Sequence, residues 1–393
     1  MSVLRQNFQI NFQYNIYFTE HVFSLQNAEL LNMLKMAQQP GFTQRLLFVI
    51  DEQVQLLHPS LTSQIDEYFK AVNTIQVVRE KIVIAGGEIA KNDLNYFDQI
   101  IEAINHHKID RHSYVIAIGG GSVLDLAGYA AAVAHRGLKH IRIPTTVLAQ
   151  GDSGVGVKNG INYLGKKNFL GTFSPPVAVF NDYHFLTTLS DRHWVSGISE
   201  AIKVALIKDD RFFEWLEEMA DKIMQYDKAA MQYLIERCAD LHIEHIGSGD
   251  PFELGSSRPL DFGHWSAHKI EQLSAFSIIH GEAVSIGIAI DSMYSFLIGS
   301  LTKDECIRIL NLLLKFKLPV FNEILVPRAN IQALLGGLQE FSEHLGGPLT
   351  IMLLNAIGQG YEVHEMNAVK IEQALSLLQK MYVDQERYEL AEF

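Results

Sequence analysis

Between residues 45 and 182 the chain repeats one pattern, a β-rich run followed by a helix-like stretch, and that repeat limits the possible folds most. The runs are RLLFVID (45–51), KIVIAGG (81–87), YVIAIGGG (114–121), HIRIP (140–144) and PPVAVFND (175–182), with helix-like stretches at 92–107 and 123–135. Strands alternating with helices build a parallel α/β layer. Upstream, FQINFQYNIYF (8–18) alternates apolar and polar residues with period two and predicts one more strand. After about residue 190 the pattern changes. Segments 197–208, 211–225, 228–246, 280–298, 302–315 and 367–381 carry helical periodicity, interrupted by the β-like run LTIMLL (349–354). The expectation is an α/β domain over 1–190 and a mainly α-helical domain over 191–393. Layouts of this kind usually place the site in the cleft between domains.

Charge and composition exclude several classes of function. A formal net charge of −13 argues against nucleic acid or an anionic membrane as partner. Two cysteines, Cys238 and Cys306, cannot form a disulfide framework and fit a reducing compartment. The N-terminal stretch MSVLRQNFQINFQYN lacks the apolar core of a signal peptide, and no run of about 18 apolar residues predicts a membrane span. The expectation is a soluble cytoplasmic protein.

VIAIGGGSVLDLAG (115–128) reads as a buried strand, three glycines and a helix start. Glycines let backbone N–H groups approach a phosphate, and a helix N-terminus favours negative charge. The spacing matches neither G-x-G-x-x-G nor a Walker A loop, and a plain strand-to-helix turn would use glycine equally well. Asp125 could serve the helix dipole, and Asp51, at the end of RLLFVID, could be a ribose ligand or an ordinary helix-start residue.

In DFGHWSAHKIEQLSAFSIIHGEAVSIG (261–287), His264 and His268 are four apart and share a face if helical. His280 lies 16 residues past His264, roughly 24 Å along one straight helix. The two can meet at one ion only if the chain turns between them, and Ser274–Ser277 is the plausible place. A histidine taken alone is more often a satisfied core or surface residue than a ligand.

Together these stretches resemble the 3-dehydroquinate synthase family, the sugar-phosphate cyclases. GGGSVLDLAG (119–128), HRG (135–137), PTTVLAQGDSGVGVK (144–158), GKKNFLGTF (165–173), FLTTL (185–189), SEAIK (199–203), FGHWSAH and HGEAVSIG are similar to its blocks and fall in its order. The resemblance implies a Rossmann-like nucleotide-binding N-terminal domain, a mainly helical metal-binding C-terminal domain, NAD, and one divalent ion, zinc or cobalt. It assigns Glu200, His264 and His280 to the metal, a set that leaves positions open for chemistry. It places Asp51, Glu88 and Lys91 on adenosine and Gly120, Gly121 and Ser122 on the pyrophosphate. Asp125, Thr145, Thr146, Asp152, Lys158, Lys167, Phe185 and Thr188 would line the rest of the cofactor. Without the resemblance, Glu88 and Lys91 read as a solvated i, i+3 ion pair. Arg136, Lys158 and Asn168 match substrate-phosphate positions, and Arg136 would serve a neighbouring subunit, which implies a homodimer. Lys158, Lys203, Glu253 and His268 match catalytic positions, with Asp152, Lys203 and His268 also facing substrate.

The implied reaction returns NAD unchanged. A secondary alcohol of a small phosphorylated sugar is oxidised, the neighbouring phosphate is eliminated, the ketone is reduced again, and ring opening precedes an intramolecular aldol closure. Family members that take an acidic heptulosonate 7-phosphate carry Arg, Asn and Lys seven, three and about 21 residues before the first ligand histidine. Here Ser257, Asp261 and Ile243 stand there, with Arg258 one place off, and FSEHLGG (341–347) replaces an Asp-Lys-Lys phosphate contact. Two like charges held together are costly, so Asp261 would repel a substrate carboxylate. The reading leans to sedoheptulose 7-phosphate and a valiolone-type cyclitol. Alternatives are a 3-dehydroquinate synthase proper, an iron-type alcohol or glycerol dehydrogenase (which uses Asp where Glu200 stands), and a non-catalytic binding protein.

Overall fold

The computed structural model describes residues 2–248, 250–252, 259–345 and 349–383. Glu253, Ser257 and Arg258, all named above, lie outside them. The chain forms two compact units. The first contains residues up to Pro144 and Val157–Asp182, and the second contains Thr145–Gly156 and everything from Tyr183 onward. A single cut at 190/191 therefore does not describe the packing. Thr145–Gly156 leaves the first unit because its residues press on helices of the second: Gly151 sits against Cys238, and Val147 and Leu148 against Gly197.

In the first unit, strands β1 (Asn15–Thr19), β2 (Gln44–Asp51), β3 (Ile75–Val77), β4 (Ile82–Ile84), β5 (Tyr114–Gly119), β6 (Lys139–Pro144) and β9 (Ala178–Asp182) form one parallel sheet. Its order is β1-β9-β6-β5-β2-β3, with β4 beside β3 on the same flank of β2. β2 and β5 are almost entirely buried, as continuous apolar strands in a covered sheet must be. Helices α1 (Leu94–His106) and α2 (Gly121–Val133) occupy the expected stretches.

Two details depart from expectation. The strand at 8–18 forms only from Asn15, where β1 meets Ala178 of β9. Just before Ala178 stand Pro175 and Pro176, and Pro176, having no N–H, cannot extend the ladder that residues 8–14 would need. The motif stretch 158–173 folds as an antiparallel hairpin, β7 (Lys158–Tyr163) and β8 (Lys166–Phe173). Leu164 and Gly165 both adopt positive φ, 51° and 72°, at the two central positions of its tight turn, as a type I′ turn requires.

The second unit is built on helices α3 (Ile198–Lys208), α4 (Asp210–Met224), α5 (Lys228–Gly247), α6 (His264–Leu273), α7 (His280–Leu297), α8 (Lys303–Lys315), α9 (Arg328–Leu345) and α10 (Ala368–Val383), with a hairpin of β10 (Ile351–Ala356) and β11 (Gln359–Val363). α7 is buried over nearly its whole length, so apolar residues surround it on every face. Close helix contact rests on glycines. A Cβ on Gly281 would stand 2.0 Å from Ser196 O, and one on Gly287 would stand 2.0 Å from Gly263 O. Among the described residues, no helix is long and apolar enough to cross a membrane, and both cysteines are free and buried.

Candidate active site

α6 ends at Leu273 and α7 begins at His280, with Ala275 and Phe276 at φ 48° and 63° in the turn between them. That reversal brings the first residue of α6 and the first residue of α7 together over α3. Glu200 Oε1 lies 3.4 Å from His280 Nε2 and 3.7 Å from His264 Nε2. The three ligand-type atoms fall within 4.8 Å of one another, the spacing of groups able to share one ion. Each imidazole is aimed by its other nitrogen. His264 Nδ1 is 3.2 Å from Phe262 O, and His280 Nδ1 is 3.2 Å from Glu271 Oε2. Nδ1 facing a carbonyl or carboxylate carries the proton, which leaves the Nε2 lone pair toward Glu200.

The electrostatics suit a cation. Glu200 is fully buried, and neither of its oxygens receives a well-aligned hydrogen bond. Its close neighbour is the Lys203 ammonium at 2.5 Å. Burial opposes ionisation of Glu200, but the adjacent Lys203 ammonium leads the contributions that outweigh it, so its carboxyl is held well below the ordinary range. Burial would discharge Lys203, yet Glu200 and Asp152 keep it protonated far above neutrality. Burial, reinforced by the Lys203 charge, holds His264 neutral, as a metal ligand must be. A buried carboxylate with no aligned donor, beside two imidazoles presenting lone pairs, fits a divalent ion of the zinc class.

His268 shares the face of α6 with His264, their ring centroids 5.6 Å apart, and its ring stacks on His280 at 6.0 Å. His268, Glu271 and His280 also bring ligand atoms within 4.8 Å. His280 thus belongs to two clusters, with Nε2 toward Glu200 and Nδ1 toward Glu271. Asp261, in the helical turn Pro259–Asp261 just before His264, is half-buried and raises the Lys203 pKa by its charge.

Three residues outside the expected set shape this site. Glu271 follows His264 at i+7 and His268 at i+3, a face signal that was present in the sequence. Asp291, a lone acid in the apolar helix α7, accepts from Trp265 Nε1 at 2.9 Å and Gly263 N at 3.0 Å, anchoring the start of α6. Burial pushes its carboxyl up to about 7. His242 pairs with Asp152 at 2.9 Å, and nothing in its sequence surroundings marked it.

The nucleotide-type residues of the first unit gather at the C-terminal ends of β2 and β5. Gly120 caps α2 in extended conformation. A Cβ on Gly119 would meet Val123 at 2.9 Å, and one on Gly86 would meet Asp51 Oδ2 at 2.4 Å, so glycine is needed for packing here. Asp51 itself caps a short helix, accepting from Gln53 N at 2.9 Å. Lys91 is buried and pairs with Asp125 at 2.8 Å, and its ammonium also meets Asn168 Oδ1, so the solvated Glu88–Lys91 pair does not form. Glu88 instead accepts from Asn162 at 2.6 Å and Ser122 at 3.4 Å. Gly128 gives room to Asn159, whose Oδ1 would lie 1.8 Å from a Cβ there. Arg136 is exposed with φ 61°, Lys158 is exposed at the start of β7, and Lys167 follows in β8. In the second unit, Thr146 Oγ1 accepts from Ala149 N at 3.1 Å, Thr145 is buried, and Thr188 donates to Phe185 O at 3.2 Å.

The description 3-dehydroquinate synthase N-terminal matches residues 81–196, and 3-dehydroquinate synthase C-terminal matches residues 197–338. The chain belongs to the 3-dehydroquinate synthase family. A 3-dehydroquinate synthase of Buchnera aphidicola subsp. Baizongia pistaciae is 36% identical over 242 residues, covering 61% of this chain and 68% of that protein. The fold is similar to that of ValA, a 2-epi-5-epi-valiolone synthase from Streptomyces hygroscopicus subsp. jinggangensis 5008 with NAD+ and Zn2+ bound. Its TM-score is 0.86 and its identity 28%, over 96% of this chain and 99% of that one. A 2-deoxy-scyllo-inosose synthase complexed with carbaglucose-6-phosphate, NAD+ and Co2+ shares the fold at TM-score 0.75 and 22% identity, over 92% of this chain and 95% of that one. This family member is a sugar-phosphate cyclase of the wider superfamily, with the parallel α/β and helical architecture of those structures.

Proposed function

We propose that this protein is a phosphate-eliminating cyclase, dependent on NAD and one divalent ion. Its substrate would be sedoheptulose 7-phosphate and its product a valiolone-type cyclitol. The observation that carries the substrate choice is Asp261. It stands where carboxylate-binding relatives carry asparagine, close enough to Lys203 to act on its charge and three residues from the ligand histidine. A substrate carboxylate there would face a fixed negative charge, whereas a polyol hydroxyl can donate to it. The 28% identity to a valiolone synthase over nearly the whole chain supports the same choice.

Bound NAD would supply and recover a hydride, and a zinc- or cobalt-class ion would polarise substrate hydroxyls. Glu200, His264 and His280 would hold the ion. Lys203, kept cationic, would donate to a substrate oxygen. His268, half-buried beside both ligand histidines, would take and return a proton at a substrate hydroxyl. The glycine turn at 119–121, the Lys91–Asp125 pair and Glu88 would hold the dinucleotide. Lys158 and Asn168 would hold the substrate phosphate, and Arg136 would serve the second subunit of a homodimer.

Phosphate release by the zinc-loaded protein with NAD, measured on sedoheptulose 7-phosphate and on the acidic heptulosonate 7-phosphate, tests the reading. Turnover of the heptulosonate alone would sink it and establish the second reading, a 3-dehydroquinate synthase proper, which the 36% identity to the Buchnera enzyme favours. Net NADH accumulation with a simple alcohol would instead point to a dehydrogenase.

A further inference from the structure

Asp152 sits in a single π-helical turn, Ala149–Ser153, that α5 holds at two points. Gly151 lies against Cys238, where a Cβ would come 3.3 Å from Sγ. One turn further along α5, His242 Nε2 lies 2.9 Å from Asp152 Oδ1, close enough for an ion pair although the N–H is not aimed straight at that oxygen. The other ring nitrogen, Nδ1, is 2.8 Å from Cys238 O, its i−4 carbonyl. A carbonyl only accepts, so Nδ1 carries a proton. The carboxylate beside Nε2 draws a second proton onto that nitrogen, and the ring is an imidazolium 4% exposed to solvent.

We infer that His242 is a positioning residue that acts through Asp152, holding its carboxylate ionised and fixed toward cofactor and substrate. The inference rests on the proposed function together with the family resemblance that places Asp152 toward cofactor and substrate. Two independent facts point the same way. Asp152 is partly buried, and burial and the nearby Glu200 carboxylate both oppose its ionisation; His242 is the leading charge that offsets them, with Lys203 adding to it. His242 is also committed on both nitrogens, which leaves the ring no proton-transfer role of its own.

The test is a double-mutant cycle of His242→Gln and Asp152→Asn on the zinc-loaded protein. It is read by NAD affinity in calorimetry and by kcat for phosphate release from whichever heptose phosphate is turned over. Each single variant should lose roughly ten-fold in one of these readouts, within the range for residues of one ion-pair network, and the double variant should lose no more than Asp152→Asn alone. His242→Lys, which restores a cation beside Asp152, should regain part of the loss, whereas a purely structural ring would leave it as impaired as His242→Gln. Additive losses in both readouts, with Asp152→Asn impaired, overturn this inference alone. Wild-type behaviour of Asp152→Asn in both readouts removes the reading of Asp152 and the inference with it.

Discussion

Glu271 and His280, nine residues apart across the turn between α6 and α7, meet through a 3.2 Å contact from Oε2 to Nδ1. The carboxylate is buried and belongs to the helix that also carries His264. One helix therefore supplies one imidazole directly and aims the other. Removing that aim weakens ion binding without removing a ligand. Glu271→Gln should lower zinc affinity about 10- to 100-fold, the usual effect of losing such a partner. Competition with a chromophoric chelator measures it, and an unchanged affinity would show that His280 is oriented by packing alone.

Asp261 is the proposed discriminator between a neutral and an acidic sugar phosphate. Asp261→Asn removes the negative charge and restores the residue type of carboxylate-binding relatives. The ratio of kcat/KM for the heptulosonate to that for sedoheptulose 7-phosphate should rise by about ten-fold or more, as expected when about 1.4 kcal/mol of like-charge repulsion is relieved. No change in the ratio would place the discriminator elsewhere.

The atom nearest a Cβ at Gly281 is a backbone oxygen, Ser196 O at 2.0 Å, with Ser196 Oγ at 2.4 Å, so turning one side chain aside cannot make room. Gly281→Ala should destabilise by roughly 1–3 kcal/mol or prevent folding, and urea denaturation reads the loss. Gly336, inside α9 with nothing within 4 Å of its Cβ position, is the matched control. Gly336→Ala should stabilise by roughly 0.5–1 kcal/mol because it removes the conformational freedom of glycine.

His242 governs an alkaline limb of stability. Burial lowers its proton affinity, but Asp152 more than compensates, and its pKa is pushed up to about 10 from an ordinary 6.5. Below pH 6.5 both folded and unfolded chains hold the proton. Between 6.5 and 10 only the folded chain does, so stability falls as pH rises through that window, by at most about 1.4 kcal/mol per pH unit from this group. Denaturation at pH 6.5, 8 and 9.5 should show a shallower decline in His242→Gln than in the wild type. Parallel declines would contradict the assignment.

Much of this was legible in local sequence. β2, β4, β5, β6 and β9 and most of the long helices follow their runs closely, because a buried strand or an amphipathic helix needs its apolar residues at a fixed period. The required turn at Ser274–Ser277 could be deduced from helix length alone. Other features were not legible. The period at 8–14 was right for a strand, but a ladder needs a partner, and Pro175 and Pro176 in a distant segment withhold it. The short β7–β8 turn, Leu164-Gly165, lacks the Asn-Gly or Asp-Gly signature that marks a hairpin in sequence. His242 gave no signal, since its meaning depends on Asp152, 90 residues earlier.

By itself the sequence determined the strand-helix alternation, the helical second half and the residue types of a two-imidazole, one-carboxylate centre, together with a family membership carried by ordered motifs. Tertiary structure decided which nitrogen of each histidine faces Glu200, that Lys91 pairs with Asp125 instead of Glu88, and that Thr145–Gly156 packs with the helical unit. The reason is physical. Periodicity and motif spacing are properties of neighbours along the chain, whereas proton placement, ion pairing and desolvation depend on groups that only folding brings within a few ångströms.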